Sequence, residues 1–443
     1  MIQRFCPHSH TEYSNVRLLD CINKPQDLIK RAAQIGLSGI AITDHECLGH
    51  AIKSYKIGQE IIKNYPNFKV ALGNEIYLID ERKNNQKYFH FVLIAKDKQG
   101  FKQLRQLSSR AWMQSYWDRG MERVPTLKSE LKEIIMREPG HLLATSACLG
   151  GELSSSVLEM EKARHVGDEA TATIKYNQIV EYMQFMDELF GDDFYIEVAP
   201  AASKDQIIAN NKLIQIAHVF NKKVVIGDDA HYLKKEDRYI HKAYLNSKGG
   251  ERETDAFYEY AYLQDEEDLR KNLDPSVGMM IDEMCQNSME MFDKIEIYNL
   301  LHNQTIPSVP IPDIEKPNCS IGLEDWPILN EMQFSNDKIE RYWVDQCLEK
   351  LDELNLYNKN YLDELEEEAR VKRIIGEKLG TNMFKYPITL KYYIDMMWEC
   401  GSLVGAGRGS SCAALNHYLL GITQLDPIEW NLPFFRYMND ERT

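Results

Sequence analysis

The sequence has no long apolar run, no basic excess and no paired-cysteine motif, and each absence excludes a class of protein. No stretch of the 443 residues is long and apolar enough to span a bilayer, and the N-terminus lacks the basic and apolar regions of a signal peptide. The nine cysteines include no C-x-x-C pair, which favours reduced thiols over a disulfide framework. We therefore expect a cytoplasmic protein with no membrane partner.

The charge and length set further bounds. A formal net charge of −16 argues against polyanion binding by the whole surface, but a local basic groove or a carboxylate cluster serving cations stays open. Hydrophobic content of 44% and charged content of 27% are typical of a globular protein. A chain of this length predicts two or more domains.

Short β-rich runs alternate with helical patterns through the first part of the chain. The runs are residues 4–6, 39–43, 69–73, 89–95, 141–146, 194–198 and 223–227. Helical periodicity appears in residues 23–37, 51–65, 101–116 and 205–220. This alternation predicts βαβ units, a parallel sheet and an α/β fold. Seven units favour a closed or nearly closed barrel, a distorted (β/α)7 arrangement.

A proline-rich segment marks a change in organisation. Pro307, Pro310, Pro312 and Pro317 interrupt any regular element there, so we place a domain boundary just before it. The predicted domains are residues 1–298 and 299–443. The second part contains acidic helical sequence, as in residues 361–380.

Two histidines stand one residue apart directly behind the first predicted strand. In an extended segment, His8 and His10 point the same way. Two imidazoles on one face can bind a metal ion, although a surface pair near the terminus is the alternative.

Other metal-binding residue types follow the predicted strands or, for His90, lie on one, and a parallel barrel collects its functional groups where its strands end. They are Asp20, Asp44, His45, Glu75, His90, Cys148, Asp228, Asp229 and His231. Taken singly, Cys148 also fits a buried apolar position and Asp20 a turn. Asp44, Asp228 and Glu197 fit partners that orient ligands, or plain strand-end acids. So many nitrogen, oxygen and sulfur donors exceed the needs of one ion, and they predict two or three divalent transition ions: zinc, manganese or iron. Such a cluster suits phosphoester hydrolysis.

The segments HSHTEYS, ITDHE, GNEIY, YFHFVLIAKD, SACLGGEL and DDAHY resemble, in order, the PHP (polymerase and histidinol phosphatase) domain that opens bacterial C-family replicative DNA polymerases. This resemblance implies metal-dependent 3′–5′ exonuclease activity, that is, proofreading. It also implies nine metal ligands: His8, His10, Asp20, His45, Glu75, His90, Cys148, Asp229 and His231.

A glycine-rich segment, LVGAGRGSSCAALNHYLLGI, lies in the second part. Its alternating glycines let backbone amides approach an anion, Arg408 adds positive charge, and a helix is expected to begin at Ser410 or Ser411. These features fit a triphosphate cradle, and a tight packing turn is the alternative. A P-loop is excluded because no Lys-Ser/Thr follows the last glycine at the required spacing.

GAGRGSS and LGITQLDPIEWNLPFFRYMNDER resemble the start of the palm in the DNA polymerase III alpha family, a polymerase beta-like nucleotidyltransferase fold. The resemblance implies that Gly409 and Ser410 contact the incoming nucleotide. It places Arg408, Arg436 and Arg442 at matching basic positions. The sequence departs from the family pattern at Phe435, usually acidic, and at Asp440, usually proline.

In that family the catalytic aspartates follow the segment matching residues 439–442, and this sequence stops at Thr443. We therefore expect an incomplete palm that does not polymerise DNA alone. A shortened chain, a split gene and an interrupted gene all fit. The expected partners are a DNA primer–template, deoxynucleoside triphosphates, and the remainder of the polymerase as a second chain or downstream segment. Magnesium would serve the completed site.

Two alternative functions remain open for the first domain. The metal ions could stiffen a structural docking module without nuclease activity. The domain could also be a phosphomonoesterase of the histidinol phosphate kind, although that function leaves residues 405–443 unexplained.

Overall fold

The computed structural model describes residues 3–16, 19–247, 255–303, 305–312, 314 and 322–441. The chain divides into two compact units, Met1–Leu301 and His302–Thr443. In this described part, no helix has both the length and the hydropathy needed to cross a bilayer. The assignment of separate functions to residues 1–298 and 299–443 stays a prediction.

A nearly closed sheet of seven strands forms the centre of the first unit, in the order β1-β2-β3-β4-β8-β9-β10. The ten strands of the unit are β1 (Phe5–Cys6), β2 (Gly39–Ile42), β3 (Lys69–Ile79), β4 (Phe89–Ala95), β5 (Tyr116–Asp118), β6 (Met121–Arg123), β7 (Thr126–Leu127), β8 (Leu142–Thr145), β9 (Phe194–Val198) and β10 (Val224–Ile226). A bridge between Ser9 and Ala230, just beyond β1 and β10, brings the two ends of the sheet together. All seven strands expected from the sequence are present, and the barrel prediction is confirmed.

Strand β4 runs antiparallel to both of its neighbours, β3 and β8. The expectation of a parallel sheet throughout is therefore wrong at this strand. Strand β3 continues to Ile79, beyond the predicted end at residue 73, and only residues 80–88 separate it from β4. That connection is too short for a crossover helix, so the chain returns directly alongside β3. The other pairs along the sheet are parallel.

Helices cover the outside of this barrel. They are α1 (Pro25–Gln34), α2 (Ala51–Ile61), α3 (Lys98–Met113), α4 (Lys128–Arg137), α5 (Glu152–His165), α6 (Glu169–Phe190), α7 (Lys204–Val219), α8 (Arg238–Leu245), α9 (Asp255–Tyr258), α10 (Glu266–Asn272), α11 (Pro275–Gly278) and α12 (Ile281–Asp293). The four helices expected from periodicity correspond to α1, α2, α3 and α7. Helix α1 shows why: Pro25 starts it, Leu28 and Ile29 are buried, and Gly36 follows its end with a φ of +85°.

The barrel interior is filled by one or two side chains from each of the seven strands. Its members are Phe5, Ala41, Ala71, Val92, Ile94, Leu143, Tyr195 and Val225, all buried in one contact cluster. Small residues on β2 and β3 share this cluster with large ones on β1 and β9, so that side chains fill the interior. The barrel is therefore closed by packing, and chemistry is confined to its rim.

The second unit is helical in its described residues, which include no strand. Its helices are α13 (Pro327–Gln333), α14 (Lys338–Glu353), α15 (Lys359–Leu379), α16 (Lys385–Glu399) and α17 (Leu415–Leu419). Trp343 is fully buried and packs against Phe384, with ring centroids 4.9 Å apart. The part of the chain that resembles a nucleotidyltransferase palm thus consists of helices and the glycine-rich segment.

Candidate metal centre

All nine predicted ligands meet at one rim of the barrel. The first group is His8, His10, Asp229 and Glu75. The Nε2 atoms of His8 and His10 lie 3.1 Å apart. Asp229 Oδ1 lies 3.1 Å from His10 Nε2 and 3.4 Å from His8 Nε2. Glu75 Oε1 lies 3.6 Å from His8 Nε2, and Glu75 Oε2 lies 3.4 Å from His10 Nε2.

Glu75 also connects this group to the other ligands. One of its oxygens lies 2.7 Å from His45 Nδ1, and the other lies 2.8 Å from His90 Nδ1. Asp20 Oδ2 lies 3.4 Å from His45 Nε2, and Cys148 Sγ lies 3.6 Å from His90 Nδ1. Glu75 is therefore at the centre of the cluster.

The ninth residue, His231, completes the cluster from the loop after β10. Its ring centroid lies 4.5 Å from that of His10 and 5.9 Å from that of His45. Three triads have ligand atoms within 4.8 Å of one another: His10–His45–His231, His8–His10–Glu75 and His45–Glu75–His90. The residues gathered by sequence position are thus also gathered in space.

The backbone near the ligands is unusual. Glu46, Ala147 and Asp229 have positive φ angles of 56°, 56° and 45°, a region that costs free energy for residues other than glycine. Each lies at a ligand or directly beside one. A Cβ atom at Gly150 would meet the ring of His90 at 2.8 Å, so glycine allows this close approach.

The reversal of β4 explains the position of His90. Residue 90 is near the start of β4, and because β4 is antiparallel its start lies at the rim where the parallel strands end. A parallel fourth strand would have placed the same residue at the opposite end. The His90 side chain remains 26% exposed, whereas Glu75 is fully buried, so His90 lies on the open side of the cluster.

The chemistry of the cluster fits bound cations. Asp20 Oδ1, Glu75 Oε2 and Asp229 Oδ1 are buried and have no hydrogen-bond partner within the described residues, although each carboxylate faces histidine nitrogens. Buried anionic oxygens are costly unless paired or metal-bound. Donors of the nitrogen, oxygen and sulfur types together suit zinc, manganese or iron.

The protonation states of His10 and Glu75 favour metal binding, whereas that of the Cys148 thiol opposes it. Burial, together with the neighbouring His45 and His231, lowers the pKa of His10 to about 3, so the ring is neutral near pH 7. Burial opposes ionisation of Glu75, but His90, His45 and His8 lower the pKa of its carboxyl well below the usual value. Burial raises the pKa of the Cys148 thiol well above its ordinary value.

Contacts other than those between the nine side chains orient the ligands. Glu197 Oε1 lies 2.6 Å from His8 Nδ1, and the backbone carbonyl of Asp229 lies 2.8 Å from His231 Nδ1. Both contacts leave Nε2 directed to the cluster. His241 Nε2 lies 2.6 Å from the carbonyl oxygen of Asp20. No local sequence pattern connects His241 with Asp20, so this contact could not be predicted from the sequence.

The predicted nucleotide loop is exposed. Arg408, Gly409 and Ser410 lie at the start of a 3₁₀ turn, Gly409–Ala413, followed by the short helix α17. This turn replaces the longer helix expected from Ser410 or Ser411. Arg436 is exposed at the end of a second 3₁₀ turn, Phe434–Arg436. Arg442 lies outside the described residues.

Buried hydrogen bonds to α15 and around His417 hold this loop in place. Glu368 on α15 accepts hydrogen bonds from the backbone amides of Leu415, at 2.5 Å, and Asn416, at 3.0 Å. Ser411 Oγ lies 2.9 Å from His417 Nδ1, and Tyr437 OH lies 3.2 Å from His417 Nε2. His417 thus links the glycine-rich turn to the segment that carries Arg436.

Comparisons with known proteins identify two families along the chain. Residues 7–201 match the PHP domain family, and residues 338–443 match the bacterial DNA polymerase III alpha NTPase domain. The DNA-directed DNA polymerase of Bacillus phage SPbeta is 37% identical over 98% of this chain and 35% of its own length. The DNA polymerase III subunit alpha of Campylobacter jejuni is 27% identical over 98% of this chain and 34% of its own length.

A solved structure, an amidohydrolase from Chromobacterium violaceum, is 14% identical and covers 52% of this chain and 88% of its own, with a TM-score of 0.26. A likeness this distant carries no argument about function. The chain spans about a third of the length of the curated relatives named above.

Proposed function

Because the chain belongs to the DNA polymerase III alpha family, we propose that its first unit hydrolyses DNA phosphodiesters from a 3′ end. The observation that supports this activity is the convergence of five histidines, three carboxylates and one thiol at the barrel rim. A single ion needs about four such donors. The surplus fits a multi-ion phosphoesterase centre.

The nine residues would hold two or three zinc, manganese or iron ions. Such ions lower the pKa of a bound water and neutralise phosphate oxygens when bound. The protein supplies fixed ligands, because Glu197 holds His8 and the Asp229 carbonyl holds His231. Burial of eight ligands excludes bulk water, and the partly exposed His90 marks the side from which a DNA end would approach.

The test compares the wild-type protein with the double variant His8→Ala/His10→Ala. Both are reconstituted with zinc, manganese or iron and given 5′-labelled single-stranded DNA. We expect 3′–5′ shortening by the wild type and its loss in the variant. The matched control is His165→Ala/His218→Ala, which removes two exposed histidines. Equal nuclease activity in wild type and His8→Ala/His10→Ala would refute the proposal.

The same assay separates the alternatives. A docking module would gain thermal stability from the ions without shortening DNA under any of them. A phosphomonoesterase would hydrolyse a phosphomonoester substrate faster than it shortens DNA.

We further propose that the second unit contributes a nucleotide-binding loop to DNA-templated synthesis, with Arg408, Gly409, Ser410, Arg436 and Arg442 contacting a deoxynucleoside triphosphate, and magnesium in the completed site. Exposure of Arg408, Gly409, Ser410 and Arg436 supports this role, since their backbone and charges are available to a phosphate. The change Arg408→Ala should weaken triphosphate binding by the assembled polymerase on a primer–template, whereas Lys359→Ala, at an exposed position on α15, should not.

The remainder of the polymerase, as a second chain or a downstream segment, would complete this unit. Exposed apolar side chains on α16 support such a partner: Tyr393 is 51%, Met397 51% and Trp398 43% exposed. Co-purification with the remaining part of the relatives' sequence, and its loss in Met397→Asp/Trp398→Asp, would test this contact. The proposal places the protein in the cytoplasm with its DNA and nucleotide partners.

A further inference from the structure

Ser14 connects a buried acid to a proposed metal ligand. Its Oγ lies 3.0 Å from His10 Nδ1 and donates a hydrogen bond to Asp44 Oδ1 at 2.8 Å. The same oxygen accepts a hydrogen bond from the backbone amide of His45 at 3.2 Å. Ser14, His10 and Asp44 are buried, with 3%, 0% and 0% exposure. These contacts therefore form without competition from bulk water.

Asp44 is fixed as an acceptor. Besides Ser14, it receives hydrogen bonds from the Thr11 backbone amide at 2.5 Å and the Thr11 hydroxyl at 2.6 Å. The Thr11 amide and the Ser14 hydroxyl both donate to Oδ1, so this oxygen is an acceptor in either protonation state of the carboxyl. The single proton of the Ser14 hydroxyl is therefore directed to Asp44.

A hydroxyl has one proton to donate and two lone pairs that accept. With its proton on Asp44 and one lone pair facing the His45 amide, Ser14 can only accept from His10. The proton of neutral His10 must then lie on Nδ1. Its Nε2 carries a lone pair and faces His8, Asp229 and Glu75, at 3.1, 3.1 and 3.4 Å.

We infer that Ser14, held by Asp44, is a positioning residue that selects the Nδ1–H tautomer of His10 and keeps Nε2 free for a metal ion. This inference rests on the proposed metal-dependent function. Ser14 lies with His10 in the segment after β1, whereas Asp44 lies in the loop after β2. The contact with the His45 amide also ties the two loops together at one oxygen.

The test measures metal binding rather than activity. Wild type, Ser14→Ala and Thr11→Val are titrated with zinc against a competing chelator, and the cobalt-substituted forms are compared by their visible absorption. We expect roughly 10- to 100-fold weaker binding of one ion in Ser14→Ala, the range typical of lost ligand-orienting partners, with an altered cobalt spectrum. Thr11→Val removes the other hydroxyl on Asp44 but leaves Ser14 and His10 in contact, so it should bind more tightly than Ser14→Ala.

A second pair of variants covers the case in which Ser14→Ala does not fold. Asp44→Ala frees the Ser14 proton, which could then be donated to His10 Nδ1 and favour the wrong tautomer. Asp44→Asn keeps an oxygen that accepts this proton, so its binding should weaken less than that of Asp44→Ala.

The outcomes separate the two levels of the proposal. If wild type binds no ion, the proposed metal-dependent function fails. If wild type binds ions while Ser14→Ala matches it, or weakens no more than Thr11→Val, the tautomer role is overturned and the metal function stands. Equal weakening in Asp44→Ala and Asp44→Asn would also overturn the tautomer role.

Discussion

The Nε2 atoms of His8 and His10 lie 3.1 Å apart, and Asp229 Oδ1 lies within 3.4 Å of both. Two neutral imidazole nitrogens at this distance direct lone pairs at each other unless one carries a proton. Glu197, Asp229 and Glu75 outweigh the effect of burial and raise the pKa of His8 well above its usual value. A divalent cation would take the place of that proton.

Metal ions should therefore stabilise the first unit. We expect a higher thermal unfolding midpoint with zinc or manganese than with a chelator. An ion at 100 times its Kd contributes about 2.7 kcal/mol. Differential scanning calorimetry of wild type and His8→Ala/His10→Ala, each with and without ions, checks this. An equal metal-dependent shift in both proteins would contradict the prediction.

The buried pair Glu368–Lys372 should govern the stability of the second unit. Both side chains have 0% exposure and their charged atoms lie 3.5 Å apart. Glu368→Ala leaves the Lys372 ammonium and two backbone amides without their partner, which should cost about 3–5 kcal/mol in urea unfolding. Glu367→Ala breaks an exposed pair with Arg370 and should cost less than about 1 kcal/mol. Similar losses in the two variants would be inconsistent with this role.

His417 should make the second unit sensitive to mild acid. Burial, together with Lys372, lowers the pKa of His417 to about 3, against about 6.5 in an unfolded chain. Below pH 6.5 the unfolded state binds a proton that the folded state does not bind. The free energy of unfolding therefore decreases as the pH is lowered from 6.5 to about 3. At pH 5 this loss of unfolding free energy amounts to about 2 kcal/mol.

Urea unfolding of wild type and His417→Gln at pH 7 and pH 5 tests this sensitivity. The variant should lose less stability than wild type over the interval, whatever its stability at pH 7. The window stops at pH 5 because ordinary carboxyl groups begin to titrate below it. Parallel pH dependence in the two proteins would contradict the prediction.

The cysteines should differ sharply in reactivity. Cys400 is exposed, whereas Cys148 is buried and burial raises its pKa. Because the thiolate is the reactive form, iodoacetamide should label Cys400 before Cys148 in the folded protein. Peptide mass spectrometry over a time course compares these two sites, and Cys400→Ser should leave the slow labelling of Cys148 unchanged. Labelling of Cys148 at the Cys400 rate would show that the rim is open.

Much of the first unit could be predicted from the sequence because short segments of the chain carry the relevant patterns. The strand runs are short and apolar, and ligands such as His45 and Glu75 follow or end such runs. The direction of β4 was missed because an isolated apolar run gives no orientation. The third strand was also expected to end at residue 73 and not at Ile79, which concealed how short the connection 80–88 is. The contacts of Ser14 with Asp44 and of His241 with Asp20 depend on tertiary packing. The sequence predicted a helix from Ser410 or Ser411 where the structure has the 3₁₀ turn Gly409–Ala413. Glycine and serine are compatible with the start of either element.

The return of β4 beside β3 also has an evolutionary consequence. The connection 80–88 lies at the same rim as His90, and it contributes none of the nine ligands. Lineages can therefore vary its exposed positions at little cost to folding, whereas Arg82, which pairs with the buried Glu130, should vary less. Divergence in access to the rim among related barrels should accumulate at these exposed positions, while the nine proposed ligands stay constant.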